Sequence, residues 1–280
     1  MSFGGHTARK RFGQHWLRDE RVLDSILSAA DLHKEDRVLE VGPGRGALTE
    51  RLLRSEAAAV HAVELDRDLV SGLQERFGAD PRFSLREGDV LQDPLTFPDG
   101  GRASKVVANI PYNITGPLLE RLIGRLDRPV DPPYRSLVLL VQQEVAQRIR
   151  ARPGHTSFSA LSVRMQLLAR CASICPVPPR CFQPPPQVQS EVIRLEPLPA
   201  DQRPAPELCR RVETLLKQAF LARRKMLRNT LGGVLPHDRL QELAAAAGID
   251  LQQRPQEVAP QCWVALARGL NQADSAASCS

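Results

Sequence analysis

The stretch Arg37-Val38-Leu39-Glu40-Val41-Gly42-Pro43-Gly44-Arg45-Gly46-Ala47-Leu48-Thr49-Glu50-Arg51-Leu52-Leu53 decides the fold of this 280-residue chain. Its first five residues have the pattern of a short buried strand, and residues 47–53 have the spacing of a helix. Three glycines lie between these two segments. A strand, a glycine turn and a helix in this order are typical of the first crossover of a doubly wound α/β sheet.

The same unit recurs along the following residues. Strand patterns end near residues 41, 64, 88 and 109, at intervals of 23, 24 and 21 residues. These intervals are typical of strand–helix units with short loops. Further strands are predicted at 136–142 and 188–195, whereas residues 161–168 have no clear pattern. The spacing therefore predicts an α/β fold with a Rossmann-like sheet and helices on both faces.

Composition divides the chain into segments. A basic segment at residues 1–21 precedes the α/β domain, which we place at 22–196. A Pro-rich linker is predicted at 197–206 and a small C-terminal helical domain at 207–271. The small, polar residues 272–280 are expected to form a disordered tail.

Composition also excludes several classes of protein. The chain is 42% hydrophobic, and no apolar run approaches the length of a membrane span. The N-terminus lacks the hydrophobic region of a secretion signal, so we expect a cytoplasmic protein without membrane contact. The six cysteines and six histidines show no spacing typical of metal ligands, which predicts reduced thiols and no metal.

Acidic residues follow the strands next to the glycine turn. Glu64 comes at the end of the second predicted strand and can accept hydrogen bonds from both hydroxyls of a ribose. Asp89 ends the third strand and can accept from an adenine amino group, while Glu40 is placed to meet an ammonium group. These residues suit either a dinucleotide or S-adenosylmethionine, although each acid alone could merely cap a helix.

The tetrapeptide Asn109-Ile110-Pro111-Tyr112 favours S-adenosylmethionine over a dinucleotide. The Asn109 amide oxygen and the Ile110 carbonyl can each accept a hydrogen bond from the amino group of an adenine. Tyr112 offers a flat face on which an extruded base can stack. Hydride transfer has no use for this arrangement, whereas methylation of an exocyclic base nitrogen needs it.

The basic residues concentrate near the C-terminus. Residues 208–233 hold seven Lys and Arg against one acid, which equals the net charge of +6 of the entire chain. A solvated helix face is one explanation for this pattern. The concentration of charge favours contact with RNA phosphates, and the candidate RNA-binding residues are Arg210, Lys217, Arg223, Arg224, Lys225 and Arg228.

These motifs, taken in order, closely resemble the ribosomal small-subunit RNA adenine dimethyltransferases over nearly the whole chain. The matching stretches are residues 10–17, 40–49, 64–66, 109–114, 143–146, 182–190 and 223–229. The resemblance implies a methyltransferase domain whose S-adenosylmethionine site is lined by His15, Leu17, Gly42, Glu64, Asp89 and Asn109. It also implies that Tyr112 and Phe182 sandwich the target adenine.

The resemblance further implies the substrate. Members of this family dimethylate N6 of two adjacent adenosines in a hairpin loop near the 3′ end of 16S rRNA, late in assembly of the 30S subunit. We expect a monomer that acts on this RNA. The chain departs from the family where Trp16, Gln143, Gln187 and Gln189 replace Phe, Lys, Lys and Asp, and the three glutamines remove charges from loops expected to face the substrate.

Three alternatives stay open at the level of sequence. A related adenine methyltransferase could act on large-subunit rRNA or on DNA, although the C-terminal helical region and the near full-length match favour the small subunit. A non-catalytic assembly factor could also keep this fold. The intact set of pocket residues argues against that last interpretation.

Overall fold

The structure is a computed structural model that describes residues 14–233 and 236–278. The chain forms two compact units. The first contains the described residues up to 123, together with 132–146 and 171–197, and the second contains 124–131, 147–170 and the described residues from 198 onward. The chain thus passes between the units several times, whereas the sequence predicted a single passage at 197–206.

Eleven strands and ten α-helices are present in the described residues. The strands are β1 Trp16–Leu17, β2 Arg37–Val41, β3 Ala59–Glu64, β4 Phe83–Glu87, β5 Lys105–Asn109, β6 Gly124–Arg125, β7 Arg128–Pro129, β8 Ser136–Gln142, β9 Ala169–Val177, β10 Phe182–Gln183 and β11 Ser190–Pro197. The α-helices are α1 Glu20–Ala30, α2 Ala47–Arg54, α3 Arg67–Phe77, α4 Thr115–Ile123, α5 Gln143–Arg150, α6 Ala160–Leu168, α7 Pro206–Phe220, α8 Leu227–Leu231, α9 His237–Ala246 and α10 Pro260–Ser278.

The main sheet has seven strands in the order β4-β3-β2-β5-β8-β11-β9. The pairs β3–β4, β2–β3, β2–β5 and β5–β8 are parallel, and β11 is antiparallel to β8. The strand order therefore reverses at β2, whose neighbours are β3 on one side and β5 on the other. Ligands of open α/β sheets bind at such a reversal, outside the carboxyl ends of the strands. The predicted fold class is confirmed.

Burial explains why these segments form these elements. In β8 the residues from Ser136 to Val141 are all buried, as expected of a strand covered on both faces. Helix α1 buries Val22, Leu23, Ile26 and Ala30 along one side and begins at Asp19, whose carboxylate accepts a hydrogen bond from the Val22 N–H at 3.1 Å. Each fully buried aliphatic side chain stabilises the fold by about 1.5–3 kcal/mol.

Two elements had no clear pattern in the sequence. Helix α6 begins at a reciprocal cap, in which the Ser159 N–H donates to the Ser162 hydroxyl at 2.9 Å. Strand β9 follows directly and holds Cys171 and Cys175.

The last helix, α10, continues to Ser278, so residues 272–278 of the segment expected to be disordered are helical.

The second unit is built around α7. This helix buries Leu208, Val212, Leu215, Leu216 and Ala219. The rings of Phe220 and Trp263 lie 6.3 Å apart between α7 and α10, and Arg164 forms an ion pair with Glu213 at 2.8 Å. Among the helices described, none is both long and apolar enough to span a membrane.

Candidate active site at the carboxyl ends of the parallel strands

A cavity of about 280 Å³ lies in the first unit, where β2, β3, β4 and β5 end. Residues far apart in the sequence meet there because the carboxyl ends of parallel strands share one edge of the sheet. Those that the sequence analysis had singled out are His15, Gly42, Glu64, Asp89, Asn109, Ile110 and Tyr112. The glycine turn and the tetrapeptide at residues 109–112 therefore belong to one site.

The glycine turn needs its glycines for conformation and for space. Gly42, Gly44 and Gly46 have φ values of +64°, +58° and +80°, a region that other residues rarely adopt. A Cβ atom on Gly44 would lie 2.8 Å from Cδ1 of Trp16. The turn is therefore closed on its outer side by the indole, and a side chain at Gly44 would push that indole away.

Glu64 is a buried carboxylate held by the backbone. Its two oxygens accept hydrogen bonds from the N–H groups of Gly44, at 3.0 Å, and Asp66, at 2.9 Å. Burial raises the pKa of Glu64, and these two hydrogen bonds offset part of that effect. Each carboxylate oxygen has a second lone pair, so the fixed group can still accept from two hydroxyls of a ligand.

Glu40 is more isolated. It is only 1% exposed, and neither oxygen lies in hydrogen-bond geometry with any described residue, the nearby Thr49 included. Burial raises the pKa of Glu40 to about 8; the nearby Thr49 opposes this effect, and the negative charge of Glu64 adds to it. A buried carboxyl group without a hydrogen-bond partner is costly, and a cationic ligand would favour its charged form, which indicates a place for such a ligand.

Glu40 borders a second cavity of about 440 Å³, which is also in the first unit. The two cavities share Trp16, Gly42, Gly44 and Asn109. They therefore adjoin across the glycine turn and offer an elongated ligand two compartments, one beside Glu64 and one beside Glu40.

Asp89 lies on the exposed rim of the first cavity. Its carboxylate accepts a hydrogen bond from the Leu91 N–H at 2.9 Å, which fixes the side chain at the end of β4. The adjacent Val90 is buried and also lines the cavity. A polar acceptor beside an apolar wall is the combination that a purine edge and face require.

The amide of Asn109 has a defined orientation. Its Nδ2 donates a hydrogen bond to the main-chain oxygen of His15 at 3.0 Å, so the amide oxygen remains as an acceptor. The next peptide is fixed as well, because the Ile110 N–H donates to the Leu140 oxygen at 3.1 Å. The side chain of Ile110 is buried, and its contribution to chemistry in the cavity is therefore limited to its carbonyl group.

Tyr112 is half-buried and held at both ends. Its hydroxyl lies 2.5 Å from Oγ of Ser190, and its ring is stacked with the imidazole of His15, with centroids 5.4 Å apart and planes inclined by 27°. Burial raises the pKa of Tyr112, and the Ser190 hydroxyl opposes the effect. The phenol is thus neutral at physiological pH and serves as a flat surface.

Two predicted site residues do not line the first cavity. Leu17 and Phe182 are 5% and 4% exposed and belong to the hydrophobic core of the first unit. They face each other in the register of β1 and β10. Leu17 borders the cavity beside Glu40, but the ring of Phe182 does not line the cavity that holds Tyr112. The proposed stacking of a base on Phe182 would require that ring to leave the core.

Some site residues had no distinct signal in the sequence. Ser190 is fully buried and reaches Tyr112 across 78 positions of the chain. Gln14 donates from Nε2 to Asp66 at 2.8 Å, and the Arg45 guanidinium lies 3.9 Å from the centre of the Trp16 ring. These contacts depend on how distant segments pack, which no local pattern specifies.

The six candidate RNA-binding residues are all exposed in the second unit: Arg210, Lys217, Arg223, Arg224, Lys225 and Arg228. Two of them project from α7, three follow it, and the last is on α8. Arg223 differs from the others because its guanidinium donates to the main-chain oxygens of Thr156 and Phe158, the latter at 2.9 Å. It therefore also fixes a loop of its own unit.

The described residues contain no cluster of three or more His, Cys, Asp or Glu side chains that could hold a metal ion. Among the described residues, no disulfide bond joins Cys171, Cys175, Cys181, Cys209 or Cys262. The sixth cysteine, Cys279, lies outside the described residues.

Comparison with known sequences agrees with this geometry. Residues 5–272 match the model of the family described as ribosomal RNA adenine dimethylase. The chain is 81% identical to ribosomal RNA small subunit methyltransferase A of Synechococcus sp. (strain WH7803), over 99% of both chains. It is 71% identical to the protein of the same name from Prochlorococcus marinus (strain MIT 9313), over 98% of both chains.

Solved structures share the fold. A dimethyladenosine transferase from Plasmodium falciparum is similar with a TM-score of 0.74 and 24% identity, over 92% of this chain and 98% of that one. The 23S rRNA methyltransferase ErmE is similar with a TM-score of 0.71 and 26% identity, over 92% of this chain and 100% of that one.

Proposed function

Since the chain belongs to the ribosomal RNA adenine dimethylase family, we propose that it is a small-subunit enzyme that uses S-adenosylmethionine. Its proposed target is N6 of two adjacent adenosines in a hairpin loop near the 3′ end of 16S rRNA, within the assembling 30S particle. The identity of 81% to a small-subunit methyltransferase, against 26% to a 23S rRNA methyltransferase, supports this choice of subunit. A ribosomal substrate also supports the cytoplasm as the location.

The residues present fit S-adenosylmethionine. Glu64 supplies two fixed acceptors for the ribose hydroxyls, and Asp89 with Val90 provides the rim and wall for the adenine. The isolated carboxylate of Glu40 is matched by the ammonium group of the methionine part, which would give it the partner that the described chain does not. Gly42, Gly44 and Asn109 border both compartments, so the ligand would pass between them.

The cofactor supplies a methyl group that is already activated by a sulfonium. The chain therefore needs to position the adenine rather than to generate a nucleophile. The amino nitrogen of adenine is a weak nucleophile because its lone pair is delocalised into the ring. The Asn109 amide oxygen and the Ile110 carbonyl would each accept one N–H of that group and so favour a pyramidal nitrogen whose lone pair is free.

Alignment is then the main source of rate enhancement. Well-oriented reactants reach effective molarities on the order of 10⁵ M or more. The observation that carries the proposal is the fixed Asn109 amide: its donor is bound to the His15 carbonyl at 3.0 Å, next to the Tyr112 ring and the glycine turn. No side chain needs to act as a base before transfer, since the proton can leave once the nitrogen carries a positive charge.

The exposed basic residues of the second unit are the proposed contacts to RNA phosphates. All six are exposed, and Arg210, Lys217 and Arg224 recur every seven residues. A single-stranded loop suits the active site because unpaired bases cost little to extrude. We place the enzyme on the 30S particle as a monomer.

The decisive experiment replaces Asn109 by Ala and measures labelled methyl transfer to undermethylated small subunits. We expect transfer to be lost, while binding of the particle is retained. The variant Asn109→Asp, which keeps an acceptor oxygen but cannot donate to the His15 carbonyl, should retain a small part of the activity. Full transfer by Asn109→Ala would refute the assignment.

Mapping the product separates the alternatives. N6-dimethyladenosine in 16S rRNA that disappears in a deletion strain would support the small-subunit assignment. Its loss from 23S rRNA instead would indicate the large subunit. A deletion strain with assembly defects but unchanged methylation would indicate a non-catalytic assembly factor.

A further inference from the structure

Tyr112 already carries a stacked ring. The imidazole of His15 lies on it with a centroid separation of 5.4 Å and an interplanar angle of 27°. Both residues line the first cavity. The surface on which the proposed function seats an adenine is therefore covered by a side chain of the protein itself.

A base and this imidazole cannot share the position. Ring atoms in contact are separated by about 3.5 Å, so a base sandwiched between two rings requires about 7 Å between them. The observed 5.4 Å is too small. Either the base or the imidazole can stack on this face of Tyr112, but not both.

The backbone of His15 is firmly held. Its carbonyl accepts from the Asn109 amide at 3.0 Å, and the two following residues pair with β10 in the register Trp16↔Gln183 and Leu17↔Phe182. Gln14, on the other side, is bound to Asp66 at 2.8 Å. A displacement of the backbone would break these contacts and would also release the amide that orients the substrate nitrogen.

The side chain of His15 is held more weakly. Apart from the stack, it makes one exposed hydrogen bond of 2.8 Å, between Nδ1 and the Pro184 oxygen. Because a carbonyl oxygen only accepts, Nδ1 is the protonated nitrogen. An exposed hydrogen bond contributes little because water replaces it readily. Rotation of the side chain alone would uncover Tyr112 while the His15 carbonyl stays on Asn109.

We propose that the imidazole of His15 occupies the seat of the target base on Tyr112 and that an entering base must displace it. This inference rests on the proposed function and extends it to selectivity. A purine has a larger stacking surface than an imidazole and replaces it with a net gain. A pyrimidine offers less surface and gains less. His15 is thus a specificity-determining residue that favours purines at the active site.

The test uses an RNA hairpin with 2-aminopurine at the target position, whose fluorescence reports stacking of that base. Replacing His15 by Ala removes the competing ring, and we expect the base to be seated with a dissociation constant about 2- to 10-fold lower than in the wild-type protein. His15→Phe keeps a stacked ring but loses the hydrogen bond to Pro184. In this variant the dissociation constant for seating of the base should not fall.

Two controls make the result specific. An RNA with an abasic site at the target position should bind the wild-type protein and His15→Ala equally, because no base competes for Tyr112. The exposed His33, which is paired with Asp31 at 3.5 Å, provides a matched control: His33→Ala should leave base seating unchanged. The fraction of seated base should rise more in His15→Ala for a hairpin with a pyrimidine at the target than for the purine hairpin, because the purine is already mostly seated in the wild-type protein.

Several results would overturn the inference. Base seating that is unchanged or weaker in His15→Ala would show that the ring does not compete. An equal gain in His15→Phe would assign the effect to the Pro184 hydrogen bond instead. Calorimetric titration with S-adenosylhomocysteine shows whether the variants have lost the cofactor site, which would also count against a role in base selection. Failure of the proposed function is distinct, because the wild-type protein itself would then not methylate small-subunit RNA.

Discussion

The phenol oxygen of Tyr112 lies 2.5 Å from the hydroxyl of the fully buried Ser190, which joins the end of β5 to the start of β11. This hydrogen bond fixes the tilt of the ring that faces the cavity. Ser190→Ala would remove the partner of a half-buried phenol, at a cost of about 1–3 kcal/mol. We expect kcat/KM for RNA to fall about 10-fold, and steady-state kinetics on undermethylated small subunits would measure it.

A double-mutant cycle tests whether the two hydroxyls act together. Tyr112→Phe keeps the ring but lacks the hydroxyl, so adding Ser190→Ala to it should cost little more. Additive losses would show that Ser190 affects the enzyme by another route.

Glu40 should link stability to pH with a defined sign. Its pKa is raised from 4.5 to about 8 in the folded protein, so the folded state retains a proton that the unfolded state has lost between these values. The contribution of Glu40 is therefore present below pH 4.5 and is lost as pH rises towards 8, by up to about 1.4 kcal/mol per pH unit. Urea unfolding at pH 5 and pH 7.5 should show a smaller decrease for Glu40→Gln than for the wild-type protein.

The same substitution should weaken the cofactor. A charged hydrogen bond contributes about 1.5–3 kcal/mol, so Glu40→Gln should bind S-adenosylhomocysteine at least about tenfold more weakly in calorimetry. Unchanged affinity, with the altered pH dependence of unfolding, would mean that the carboxylate does not meet the ammonium group.

His61 should make the free energy of unfolding depend on pH in the opposite direction to Glu40, so that stability falls as pH falls. It is 1% exposed, and burial is the main cause that lowers its pKa below 6.5. Its Nδ1 lies 2.8 Å from the Ser84 hydroxyl, while Nε2 has no hydrogen-bond partner among the described residues. Above pH 6.5 the ring is neutral in both states, and as pH falls below that value only the unfolded state gains a proton, so stability is lost.

The measurement compares the free energy of unfolding at pH 7.5 and pH 5.5. His61→Asn retains a polar group that can reach Ser84 but does not titrate, so this variant should lose less stability on acidification than the wild-type protein. An equal loss in both proteins would exclude His61 as the source.

The sheet and half of the site could be predicted because their signals are local. A glycine turn after an apolar strand predicts a crossover, and a constant interval between strands predicts its repetition. Glu64, Asp89 and Asn109 were identifiable because each stands at a strand end, and parallel strands bring those ends together. All three line the first cavity.

The rest depends on contacts between distant segments. The Asn109 amide reaches the His15 carbonyl across 94 positions, and the Tyr112 hydroxyl reaches Ser190 across 78. Neither contact changes the local pattern of apolar residues. Most side chains of strand β9 are exposed or half-buried, so its sequence lacks the apolar alternation that indicates a strand.

The exposed basic residues of the second unit should set the dependence of RNA affinity on salt. Each phosphate contact contributes about 0.7–0.9 to the slope of log K against log salt concentration. Arg224→Gln removes one exposed charge, and we expect weaker binding with a slope smaller by about that amount in titrations at several salt concentrations.

Arg239 is a matched control, because it is exposed in the same unit and paired with Glu242 at 2.8 Å. Arg239→Gln should leave the slope unchanged. Arg223→Gln should reduce the slope and also lower the melting temperature, since that guanidinium binds the oxygens of Thr156 and Phe158. Equal slopes for Arg224→Gln and Arg239→Gln would indicate that the RNA binds another surface.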